Sequence, residues 1–168
     1  DGMSHAGQTH QEAPHPRVVY LTNEACASEH VKGWIDTLAA MDAPLILCVG
    51  AAALAAPQTG HAMTQRRIDL LAIEQNAWVL AARDLRCKVV ETRTELDWAM
   101  KNGQICLWAP SKIVLDAVDG PSASPRDALA LAAWFAAEMK AKELLVIGAA
   151  APDASVPVRA IPVDQANL

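Results

Sequence analysis

Apolar residues in this chain fall into two kinds of run. Short blocks at Val18 to Leu21, Leu45 to Val49, Cys87 to Val90, Ile105 to Trp108 and Leu144 to Ile147 have the length of strands. They are mostly unbroken by polar residues, as in a parallel sheet covered on both faces. Between them lie longer stretches in which apolar residues recur at helical spacing. Val31, Trp34, Ile35 and Leu38 fall on one face of a helix running to about Met41. Ile68, Leu71, Ala72, Gln75, Trp78, Val79 and Ala82 make a stripe along a longer helix over 65–83. Strands alternating with helices predict an α/β protein with a mainly parallel sheet and helices on both faces.

The stretch from Gly120 to Gly148 shows the pattern most fully. Pro121 and Pro125 break the loop, and Ser124 is placed to cap a helix with Pro125 at its first position and Asp127 in its first turn. From Ala128 to Met139 nearly every residue is apolar. Leu129, Ala132, Ala133, Ala136 and Ala137 share one face, while Leu131, Trp134 and Phe135 carry the surface further round, so this helix packs on more than one side. Lys140, Lys142 and Glu143 mark an exposed turn before the last apolar block.

Other boundaries follow from cap and turn residues. Ser28, Thr64 and Thr94 are the expected caps of the earlier helices, and Asn102-Gly103 ends the third of them in a left-handed turn. Val156 to Val163 is punctuated by prolines and fits an edge strand. Residues 1–16 of this 168-residue chain are polar and proline-containing, which predicts a flexible tail, and 17–168 read as one domain.

Composition narrows the function classes. The net charge is −5 and charges are spread along the chain, which argues against a nucleic-acid groove. No apolar run approaches the roughly 20 residues that span a bilayer, and the first residues lack a basic start and an apolar stretch. Cys26, Cys48, Cys87 and Cys106 are widely spaced and read as buried free thiols in a reducing cytoplasm. His5, His10 and His15 recur every five residues, a spacing that can chelate a metal but reads more simply as an incidental feature of a polar tail.

Candidate chemistry is sparse. The turn Gly50-Ala51-Ala52-Ala53 sits where a nucleotide-binding fold sets backbone amides against an anion, but only one glycine is present. Lys112 follows a strand end and Pro110-Ser111, a place to meet phosphate or carboxylate. Glu74 lies mid-helix among apolar neighbours and reads as a solvated or ion-paired carboxylate; His30 and His61 have no companion nucleophile. Walker, GxGxxG and GxSxG patterns are lacking.

The segments LLAIEQNAWVLAAR (70–83), CLWAPSKIVL (106–115) and LAAWFAAEMKAKELLVIG (131–148) resemble, in order and spacing, the amino acid kinase superfamily. The branch they are most similar to is the small aspartate/glutamate/uridylate kinase-like proteins linked to methanofuran and methanopterin synthesis in one-carbon metabolism. The resemblance implies a three-layer α/β/α sandwich, ATP with Mg²⁺, and phosphorylation of a carboxylate, phosphate or similar acceptor. Its catalytic positions are altered here. The family's first strand ends in lysine and then Gly-Gly-Ser, where this chain has Val19-Tyr20-Leu21-Thr22-Asn23-Glu24-Ala25. The glycine-rich second loop is Gly50-Ala51-Ala52-Ala53, the polar entry to the late helix is Asp127-Ala128-Leu129-Ala130, and the lysine closing the next strand is Gly148. Trp108, Pro110, Ser111 and Lys112 match.

Phosphoryl transfer depends on positioned charge, amides and metal. Loss of those groups with the packing pattern kept implies a pseudokinase: a binding, regulatory or structural subunit in the cytoplasm, without ATP or metal cofactor. Its expected partners are copies of itself or a related subunit, with a small-molecule ligand possible. The alternative is an active ATP- and Mg-dependent kinase with a rearranged site using Lys112, Arg126 and Asp127. A ligand-binding module near Gly50 to Ala53 is a third reading. Gly50, Ser111, Lys112, Arg126 and Asp127 are the candidate substrate or phosphate contacts, and none is assigned a catalytic role.

Overall fold

From Arg17 onward the chain alternates strand and helix. A computed structural model describes residues 15–41, 43–51, 59–121, 127–148 and 158–161. Strands β1 (Arg17–Leu21), β2 (Leu45–Val49), β3 (Cys87–Val90), β4 (Ile105–Trp108), β5 (Leu144–Ile147) and β6 (Val158–Ile161) make one sheet in the order β3-β4-β2-β1-β5-β6. Every neighbouring pair is parallel. All residues of β2, β4 and β5 are buried, because helices cover both faces of these interior strands. At the edge, β3 has an exposed residue, Lys88, whose amine lies 5.6 Å from the centre of the Trp98 ring. The expected edge strand at 156–163 is β6, at the opposite edge.

The connections explain the layers. From β1 through β2 to β3 the chain moves toward one edge, then from β3 through β4 and β5 to β6 it moves back across the sheet. Right-handed crossovers put these two sets of helices on opposite faces. On one face lie α1 (Asn23–Ala27), α2 (Val31–Ala39) and α3 (Ala62–Arg83). Arg83 of α3 donates to the Cys26 carbonyl of α1, and Arg86 just beyond α3 pairs with Asp36 of α2 at 2.7 Å. On the other face are α4 (Arg93–Lys101) and α6 (Ala128–Glu138), linked by Arg93 and Glu138 at 3.8 Å. Phe135 of α6 stacks on Trp108 at the end of β4, ring centres 3.9 Å apart and planes 14° from parallel. The short α5 (Ser111–Asp116) leaves β4 at the carboxyl edge of the sheet and packs against α3. This is the expected three-layer α/β/α sandwich, and Cys26, Cys48, Cys87 and Cys106 are buried free thiols within it.

Several caps differ from expectation. A short helix not expected from the sequence, α1, precedes the first expected one, and Thr22 caps it by accepting from the Ala25 amide at 3.1 Å. Ser28 accepts from His30 N in the turn that separates α1 from α2, and the cap of α2 is His30, with no side-chain bond, in place of the expected Ser28. Thr92, two residues before the expected Thr94, caps α4 by accepting from Glu95 N at 3.2 Å. His61 stands at the cap of α3 with no side-chain bond, and Thr64 lies inside the helix. Asp127 caps α6, so that helix starts at Ala128; Ser124 and Pro125 lie outside the described residues. Asn102-Gly103 does close α4 in the left-handed region, with Gly103 at φ 66°.

The larger correction concerns α3. Its buried residues are Asp69, Leu70, Ala72, Ile73, Ala77 and Leu80. Of the stripe read from the sequence only Ala72 is buried, and Leu71, Gln75, Trp78, Val79 and Ala82 face outward. The helix is apolar on two sides, and the β-sheet claims the side richer in Leu, Ile and Ala.

Candidate functional site

In open parallel sheets, ligands bind outside the carboxyl ends of strands where neighbouring connections leave toward opposite faces. Two such places occur here, between β1 and β5 and between β2 and β4. The residues at these ends are Thr22 and Asn23 after β1, Gly50 after β2, Glu91 after β3, Pro110 to Lys112 after β4 and Gly148 after β5.

Around Gly50 the turn is clasped by side chains. Asn76 of α3 donates through Nδ2 to the Gly50 carbonyl and to Asn23 Oδ1, both at 3.0 Å. Asn23 Nδ2 in turn donates to the Ala51 carbonyl. The Gly50 amide donates to the Leu21 carbonyl at 3.2 Å. A Cβ at position 50 would lie 2.6 Å from Asn23 Oδ1 and 3.0 Å from the Tyr20 hydroxyl. Glycine is therefore required for space, at a backbone conformation open to other residues. Burial pushes the Tyr20 phenol up to about 12, with Cys26, Cys48 and Asp127 adding in the same direction. The hydroxyl beside this turn is thus a neutral group across the physiological range, not a base.

The other strand ends are bound as tightly. The Ser111 amide, first in α5, donates to Glu74 Oε1 at 2.9 Å, which gives the mid-helix carboxylate its partner. Lys112 Nζ sits 3.0 Å from Glu91 Oε2. Its ammonium is held above the usual lysine range by that hydrogen bond and charge, then by Glu95 and Glu74. Three carboxylates around one exposed ammonium leave the surroundings of Lys112 acidic. Asp127 Oδ1 accepts from Ala130 N at 2.9 Å, so α6 has its own carboxylate where an anion would approach its amides.

Beside Lys112 a cavity of about 560 Å³ opens between the start of α4, α5 and the outer side of α6. Arg93, Lys112, Asp116, Asp119, Trp134 and Glu138 are among its lining residues, a mixed-charge wall around an indole. Trp134 Nε1 donates to the Asp119 carbonyl at 3.3 Å and holds the loop after α5.

Of the residues expected from the sequence, Ser111 and Lys112 share one end of the edge with Glu74 and Glu91, and Gly50 forms a separate cluster with Asn23 and Asn76. Arg126 and 52–58, including Ala52 and Ala53, lie outside the described residues, as do His5 and His10; His15 is exposed. Among the described residues no cluster of His, Cys, Asp and Glu could hold a metal ion, and no helix is long and apolar enough to cross a membrane. Sequence reasoning missed Asn23 and Asn76, which are 53 positions apart and carry no pattern in common. No protein-family model and no curated protein matches the chain.

Proposed function

We propose that this protein is a non-catalytic subunit, a pseudokinase-like sandwich that acts by binding or assembly instead of transferring phosphate. One observation carries the reading: each described group expected to receive phosphate is already bonded to a protein partner. The Gly50 amide is bonded to Leu21, the Ser111 amide to Glu74, the Lys112 ammonium to Glu91, and Asp127 itself to the Ala130 amide in the first turn of α6. A triphosphate at these strand ends would have to break those bonds and lie against Glu74, Glu91 and Glu95. Loss of a single positioned donor costs an enzyme about 10² to 10³ in rate. With several lost together, transfer falls toward the uncatalysed rate.

The link to methanofuran and methanopterin metabolism rests on the sequence resemblance, which makes another subunit of such a pathway, or a second copy of this chain, the proposed partner. Calorimetric titration with ATP and Mg²⁺ tests the reading. Flat heats up to millimolar nucleotide are expected. Micromolar binding that disappears in Lys112→Ala would overturn it in favour of a kinase with a rearranged site.

The cavity beside Lys112 favours a second reading, a small-molecule binding module. Its mixed charges and the indole of Trp134 suit a planar, zwitterionic ligand. Titration with a pterin and with an aminomethylfuran, repeated on Trp134→Ala, decides between the two.

A further inference from the structure

The two ends of the sheet differ in how their cations are held. At the carboxyl ends Lys112 is paired with Glu91. At the amino ends a cavity of about 350 Å³ opens beside the start of β1, lined by His15, Pro16, Arg17, Ala43, Lys142 and Glu143. Arg17 is the first residue of this central strand, and its amide donates to the Pro44 carbonyl at 2.7 Å, which fixes its backbone beside β2. Lys142 and Glu143 come just before β5, the strand on the other side of β1. Glu143 already has a cation, since its Oε1 accepts from Arg159 of β6 at 3.0 Å. Arg17 and Lys142 have no such partner. Among the described residues neither forms an ion pair, and Arg17 Nε is buried without a hydrogen-bond partner.

We propose that this cavity binds the phosphate of a small phosphate monoester. In a chain of net charge −5, a wall with two permanent cations, an imidazole and one neutralised carboxylate is a local reversal of sign. Buried donors in folded proteins are almost always bonded, so Arg17 Nε marks a place that calls for an acceptor. Turned toward the cavity, the guanidinium offers Nε and one terminal nitrogen to a single oxyanion, side by side. The Lys142 ammonium adds a second charge without a fixed direction. Together they match the charge of roughly −1.5 to −2 that a phosphate monoester carries at neutral pH, whereas a carboxylate would answer only one of them. The exposed His15 is a further donor. The volume is at the lower end of ligand sites, about 300 to 1,000 Å³, and Pro16 and Ala43 are its apolar members, which suits a compact organic group over a nucleotide. The site is independent of the reading of the strand ends, which concerns the opposite edge of the sheet.

The test is calorimetric titration of the full chain at low ionic strength, first with inorganic phosphate and then with glycerol phosphate, with acetate as the comparison. Saturable binding of both phosphates, tighter than any of acetate, is expected. Arg17→Met should weaken it about tenfold or more, the worth of a charge-assisted hydrogen bond. Arg17→Lys keeps the charge without the fork and should recover only part of that loss. Lys142→Met, at an exposed position, should weaken binding about two- to five-fold. Far-ultraviolet spectra check that each variant is folded. Lys112→Ala should leave phosphate binding unchanged, so a failure of the pseudokinase reading shows at Lys112 and a failure of this one at Arg17. Flat heats for both phosphates into the millimolar range, acetate bound as tightly, or binding indifferent to both Arg17→Met and Lys142→Met would overturn the proposal.

Discussion

Replacing Gly50 with alanine adds one methyl group in a place where three side chains meet. The new Cβ would stand 2.6 Å from Asn23 Oδ1, well inside contact distance, and 3.0 Å from the Tyr20 hydroxyl. Tyr20 is on the central strand and buried, so it yields little. Asn23 is the softer neighbour, but turning it away breaks its bonds to Asn76 and to the Ala51 carbonyl. Two hydrogen bonds at about 1 kcal/mol each, plus residual crowding on the phenol, give about 2 to 3 kcal/mol of destabilisation. For a chain of this size that lowers Tm by roughly 4–12 °C. Urea unfolding of the wild type, Gly50→Ala, Asn23→Ala and the double variant measures it as a cycle. Once Asn23→Ala has removed the obstacle, the methyl should cost less than about 1 kcal/mol, a coupling of the size expected for touching residues. If Gly50→Ala cost the same in both backgrounds, the clasp would not be what demands a glycine, and the reasoning would fail.

Three further outcomes follow from the same geometry. Phe135→Ala should cost about 3 to 5 kcal/mol by urea unfolding, since the ring is fully buried and stacked on Trp108. Thr92→Ala should cost about 1 kcal/mol and Thr94→Ala about none, because only Thr92 accepts from the Glu95 amide. Burial raises the thiols of Cys26 and Cys87 from 9.0 to about 12 and that of Cys106 to about 11, with Cys48 raised further, so stability should be full below about pH 9 and fall as pH climbs through 11 and beyond. Urea midpoints across that range check the sign, and a flat profile would contradict the burial of these groups.

The sheet was readable in the sequence because interior parallel strands need apolar residues on both faces, and β2, β4 and β5 have them without a break. Helix faces were harder. On α3 both sides are apolar, so periodicity alone could not say whether Leu71 and Trp78 or Leu70, Ile73 and Ala77 met the sheet. Cap positions were off by a few residues where hydroxyls cluster, as with Thr92 and Thr94. At the candidate site, Gly50, Ser111 and Lys112 could be picked out because each follows a strand. What holds them could not: Glu74, Glu91, Asn23 and Asn76 reach these positions from distant segments, and only the folded sheet brings them together.

The placing of β1 between β2 and β5 has a consequence for how the chain is made. Val18 pairs with Ile46 on one side and with Leu144 on the other. The first partner emerges from the ribosome soon after β1. The second follows over a hundred residues later, roughly 5–25 s at ordinary rates of synthesis. Throughout that interval the far side of β1 offers unpaired amides and carbonyls flanked by Val18, Val19 and Leu21. The nascent chain must therefore shield an apolar strand edge until β5 arrives, and pairings this distant in sequence place it among the slower-folding α/β domains.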